Sequence, residues 1–120
     1  MIEYDVWIDG IVSTCQLISD EEVFRKAWLE NDKSITSIIN YDELYEQIFD
    51  DLDSDAYERL LPSMEKLSDN KRKLISRFLC SLREFDKETE QDEQFKSPDT
   101  LLGSVEWNKV RVAAMNVVNG

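Results

Sequence analysis

The chain has 120 residues, the length of one domain, with 26 Asp and Glu against 14 Lys and Arg and a net charge of −12. A hydrophobic content of 42% with twelve aromatics supplies enough apolar surface for a core and argues against intrinsic disorder. The acidic excess argues against binding DNA, RNA or an anionic membrane, which need Lys and Arg to displace counterions, and favours a basic protein as partner.

The opening Ile2-Glu3-Tyr4-Asp5-Val6-Trp7-Ile8 alternates apolar with acidic residues, then meets Asp9-Gly10 and the run Ile11-Val12-Ser13-Thr14-Cys15. Alternation around Asp-Gly is a β-hairpin signal. Ile8, Ile11, Val12, Cys15 and Ile18 also fit a helical period, so a helix competes, and the hairpin is the slightly preferred reading. Met1 to Asp5 has no basic leader, and no stretch reaches the roughly 18 apolar residues of a membrane span. Taken as a whole chain, this predicts a cytoplasmic protein.

Ser19-Asp20-Glu21-Glu22 reads as a capping box that starts a helix over about 20 to 31, with Val23, Phe24, Ala27 and Trp28 on its apolar face and Asn31-Asp32-Lys33-Ser34 ending it. After the short run Ile35 to Ile39, Asn40 caps a second helix over about 40 to 52. Its apolar side carries Tyr41, Leu44, Tyr45, Ile48, Phe49 and Leu52. Asp53-Ser54-Asp55 breaks the chain, and Tyr57, Leu60, Leu61, Met64 and Leu67 mark a helix over about 55 to 67, which Pro62 kinks or divides. Ser68-Asp69-Asn70 caps the longest helix, about 70 to 87, and short connections predict that the helices at 40–52, 55–67 and 70–87 are antiparallel neighbours. From Glu84 to Phe95 the polar sequence predicts a fraying end and a loop. The last segment, from Ser97-Pro98-Asp99 through Val118, has a valine content that suits a strand and a length that suits a helix; helix is the reading adopted. The fold class expected is mainly α, a compact helical bundle of one domain over residues 1–120, with a small N-terminal β-hairpin.

No His is present, so the usual general base near neutral pH and the commonest metal ligand are missing. The three glycines, Gly10, Gly103 and Gly120, cannot form a phosphate cradle. Asp51-Leu52-Asp53-Ser54-Asp55 imitates the start of a calcium loop, but Ala56 stands where the turn needs Gly and Pro62 where the bidentate Glu belongs. Cys15 and Cys80 lack the spacing of a zinc or redox pair and read as free, buried thiols. No catalytic residue, cofactor or metal site is expected. The stripe of Tyr41, Tyr45 and Phe49 and the three tryptophans read as core.

One feature stands out. From Tyr41 to Glu58 the chain carries Asp42, Glu43, Glu46, Asp50, Asp51, Asp53, Asp55 and Glu58 without one Lys or Arg. Like charges three or four apart on a helix cost roughly 0.2–0.5 kcal/mol per pair. At about 100° per residue, Asp42, Glu43, Glu46, Asp50 and Asp53 face away from the apolar side. Lys71, Arg72 and Lys73 sit at the wrong end of the longest helix for its dipole, and pairing across the bundle would neutralise only part of the stripe.

In size, charge, absent chemistry and helical character the chain resembles bacterial immunity proteins of the colicin and contact-dependent growth inhibition type. The likeness is one of class and is carried by no motif. It implies a one-to-one complex with a cognate basic nuclease toxin, blocking its active site or an adjacent surface. Asp42, Glu43, Glu46, Asp50, Asp53 and Asp55 would be the electrostatic contacts, with Tyr57 as a rim aromatic. Two other readings remain open on the sequence: a helical adaptor or regulatory subunit that binds through an apolar groove, and a DNA-mimic inhibitor of a DNA-binding protein.

Overall fold

The computed structural model describes residues 4–30, 40–90 and 92–120. Among these the secondary structure is helical throughout: α1 (Tyr4–Ser19), α2 (Glu21–Leu29), α3 (Tyr41–Glu46) running into a π-helical turn (Gln47–Asp51), α4 (Ser54–Leu60) with a 3-10 turn (Leu61–Ser63), α5 (Asp69–Thr89), a 3-10 turn (Glu93–Lys96), α6 (Pro98–Leu102) and α7 (Val105–Asn119). The mainly α bundle expected from the sequence is the fold observed. The expected end of the second helix at Asn31 to Ser34 and the run Ile35 to Ile39 lie outside the described residues.

The N-terminal hairpin is corrected to a single helix. Trp7, Ile11, Cys15 and Ile18 recur every three or four residues and are all buried, so the helical period prevails over the alternation. Gly10 does not serve as a turn residue, for its φ is not positive. It lets α1 approach the π turn: a Cβ there would stand 2.9 Å from Leu52 Cδ2.

α2 is capped by Asp20, whose carboxylate accepts from the Val23 amide at 3.3 Å. Ser19, the expected cap, instead ends α1 and donates to the Cys15 carbonyl. Asn40 and Ser68 do cap their helices as the sequence predicts, accepting from the amides of Glu43 and Lys71 at 2.8 and 3.1 Å. α5 runs on to Thr89, whose buried hydroxyl donates to Phe85, so the expected fraying from Glu84 does not occur over that stretch. The closing segment is helical, but Gly103 and Ser104 divide it; Ser104 caps α7 by accepting from the Trp107 amide at 3.1 Å.

α7 is the central element. Among the described residues its interfaces with α1 and with α5 are the largest between helices, larger than any among α3, α4 and α5, the three expected as antiparallel neighbours. Its buried residues Trp107, Val110, Ala114 and Val117 are mostly short, and short side chains let two neighbours approach one helix. Trp107 at its start meets Phe85 near the end of α5 at 5.5 Å, while Lys71 at the start of α5 reaches Val117, so α5 and α7 are antiparallel. Phe24, Trp28 and Trp107 complete an aromatic cluster with centroid separations of 4.8 to 6.4 Å. All three tryptophans are buried, as is Cys15, whereas Cys80 is exposed, contrary to expectation, because it lies on the outer side of α5.

Candidate functional site

The acidic stripe occupies α3, the π turn and the start of α4. Leu44, Ile48, Phe49 and Leu52 anchor its inner side in the core. The Leu52 amide bonds to the Gln47 carbonyl at 3.0 Å, five residues back, which marks the π step. With an α-helical advance of about 100° per residue, Asp51 would lie about 60° from Ile48, on the flank of the buried side. The wider turn advances each residue by less, so Asp50 and Asp51 both point outward while Ile48, Phe49 and Leu52 stay inside. Asp53 then adopts φ 50° and ψ 46°, the one positive φ at a non-glycine among the described residues. Asp tolerates this left-handed conformation better than most side chains.

Asp42, Glu43, Glu46, Asp50, Asp51 and Asp53 are all exposed along α3, the π turn and the step into α4. Among the described residues no Lys or Arg pairs with any of these six. Asp55 is exposed but differs from them: Arg83 of α5 binds it at 2.5 Å and binds the half-buried Glu58 at 2.9 Å. The Arg83 guanidinium also lies 5.0 Å from the centre of the Phe49 ring. Partial burial opposes its charge, and the hydrogen bonds it donates to Asp55 and Glu58, with their negative charges, more than offset that, so its pKa moves up.

Tyr57 is corrected from rim aromatic to core residue. It is 1% exposed, stacked on Trp7 at 5.4 Å and edge-on to Tyr4 at 6.0 Å. The aromatics beside the acidic face are instead the half-buried Tyr41 and Tyr45, which the periodicity had assigned wholly to the core. The Tyr41 hydroxyl donates to Asp86 at 3.0 Å. Burial, reinforced by the Asp86 charge, pushes its pKa well up, and the Tyr45 hydroxyl shifts the same way, first through burial and then through Asp86. Sequence reasoning missed Asp86, which sits 45 positions from Tyr41 and reaches the face only through the packing of α5.

A cleft of about 490 Å³ adjoins the face where the start of α3 meets the end of α5; Tyr41, Asp42, Asp86, Thr89 and Phe95 are among its walls. Among the described residues no three Cys, Asp or Glu side chains are grouped to hold a metal ion, and no helix is long and apolar enough to cross a membrane. Cys15 is inert at neutral pH because burial, only partly countered by Lys71, pushes its thiol up to about 12. Burial and the Glu84 carboxylate also raise Cys80. Comparison with protein-family models, with curated proteins and with solved structures gives no match for this chain.

Proposed function

We propose that this chain is an immunity protein: a cytoplasmic inhibitor that binds one basic protein, a bacterial nuclease toxin, through the acidic face of α3 and the π turn. The observation that carries the reading is the row of six outward carboxylates, Asp42, Glu43, Glu46, Asp50, Asp51 and Asp53, none of them paired with a Lys or Arg among the described residues. Such a row stores like-charge repulsion in the free protein, and a cationic partner relieves it on binding. A nuclease cleft carries the required positive charge because it must hold a phosphate backbone. Long-range attraction also accelerates encounter, which suits an inhibitor that must meet its target before the target meets nucleic acid. Asp55 contributes less to this field than the other carboxylates, since Arg83 already neutralises it.

The test is capture of partners from lysate of the source cells at low and high salt, followed by association kinetics. A stoichiometric basic partner with nuclease activity that the chain suppresses supports the reading. A partner held equally well in 1 M salt, where the screening length is roughly 3 Å, rejects a charge-driven face and favours apolar docking.

A further inference from the structure

A buried relay closes the acidic turn from within. Trp7 Nε1 donates to Ser54 Oγ at 3.2 Å, and Ser54 Oγ donates to the Ile48 carbonyl at 2.5 Å. Both residues are fully buried, and Ser54 is one of only three buried polar residues among those described. In an α-helix the Ile48 carbonyl would accept from the Leu52 amide; that amide is committed to Gln47 by the π step. A serine hydroxyl six residues on takes its place. The residue before that serine is Asp53, the left-handed one. The left-handed step turns Ser54 into the core while the Asp53 side chain stays in solvent.

A surface turn dense in like charges tends to splay, since opening it separates the carboxylates and hydrates the backbone. Here the hydroxyl that holds the turn shut is itself held by an indole on another helix, 47 residues away. We propose that Trp7 and Ser54 are positioning residues for the acidic face: they keep Asp50, Asp51 and Asp53 in the arrangement that a cationic partner meets, so the repulsion is borne in folding and not at binding. This rests on the reading of that face as the binding surface. Neither residue touches the partner.

The experiment compares the wild type with Ser54→Ala, Trp7→Phe, Asp53→Gly and the double variant Ser54→Ala/Asp53→Gly. Backbone amide exchange reports closure of the turn, and titration with hexaamminecobalt(III), an inert trivalent cation, reports the carboxylate arrangement through amide shifts at 50–53. In Ser54→Ala, exchange at 52–54 should rise on the order of tenfold, the worth of one buried hydrogen bond, while α5 and α7 keep wild-type protection. Cobalt affinity at the turn should fall about threefold or more, as expected for charges moved apart by several ångströms. Glycine adopts the left-handed step without strain, so Ser54→Ala/Asp53→Gly should exchange more slowly at the turn than Ser54→Ala. Ser54→Ala removes a single oxygen and stands alone as the test if Trp7→Phe unfolds. Wild-type exchange and wild-type cobalt affinity in Ser54→Ala would overturn the proposal. Faster exchange in Ser54→Ala, with cobalt shifts in the wild type spread evenly over all exposed carboxylates, would keep the relay as the anchor of the turn and overturn the acidic face as a binding surface.

Discussion

The Lys71 ammonium, in the first turn of α5, donates to the carbonyl of Val117 in the last turn of α7. A cation at a helix N-terminus opposes that helix's own dipole; here it complements the negative end of the antiparallel neighbour and satisfies a carbonyl that the end of α7 leaves free. Arg72 behaves similarly, donating to the Met64 carbonyl at 2.8 Å and pairing with Asp69.

Lys71→Met keeps an unbranched side chain one atom shorter and removes the donor. It should lower stability by about 1 kcal/mol, with the loss of amide protection concentrated in the last turn of α7. Urea unfolding with hydrogen exchange measures both. Unchanged protection at 116–119 would show that the contact contributes nothing.

Charge reversal of the acidic face separates encounter from packing. Glu46→Lys with Asp50→Lys should slow association with the captured partner by on the order of tenfold or more at low salt, with a much smaller effect on dissociation. Stopped-flow mixing at two ionic strengths decides it. Equal rates for the variant and the wild type at low salt would remove the face from the binding event.

Arg83→Gln removes the guanidinium shared by Asp55, Glu58 and the Phe49 ring. The ion pairs are partly exposed and contribute little each, so the loss should be about 1 kcal/mol, mostly from the ring contact and packing. The same change releases two carboxylates into the acidic field, so association with a basic partner should quicken even as the unfolding midpoint falls.

Cys15 makes stability pH-dependent in alkali. Its thiol is raised from 9.0 to about 12 by burial, so between these values the unfolded chain has lost a proton that the folded chain keeps. Stability therefore falls as pH rises from about 9 towards 12, by about 1.4 kcal/mol per pH unit at most from this group. Tyr41, also raised by burial, acts in the same direction above its ordinary value. Cys15→Ala should flatten the slope between pH 9 and 10.5 relative to wild type. In the native protein a thiol reagent at pH 8 should label exposed Cys80 and leave Cys15 until the chain unfolds.

Gly10→Val tests the approach of α1 to the π turn. The added atoms meet Leu52, whose Cδ2 lies 2.9 Å from where a Cβ would stand. Overpacking should cost about 1–3 kcal/mol against a gain in helix propensity smaller than 1 kcal/mol. Truncating the partner in Gly10→Val/Leu52→Ala should recover part of the loss.

Local chemistry determined much of this molecule from the sequence alone. The apolar stripes of α3, α4 and α5, the caps at Asn40 and Ser68 and the outward set of carboxylates were legible because helix period and capping act within four residues. The first segment was misread because Asp9-Gly10 serves a turn and a close helix contact equally well, and only the neighbour at Leu52 chooses between them. The same holds for Tyr57. The resemblance put it at a rim although the helical period put it on an apolar stripe, and stacking on Trp7, 50 positions earlier, places it in the core. Tertiary structure alone decided that α7 lies between α1 and α5, that Arg83 claims Asp55 and Glu58, and that Trp7 and Ser54 lock the acidic turn. Those facts depend on which side chains meet across long sequence separations, and packing shape sets that where periodicity cannot.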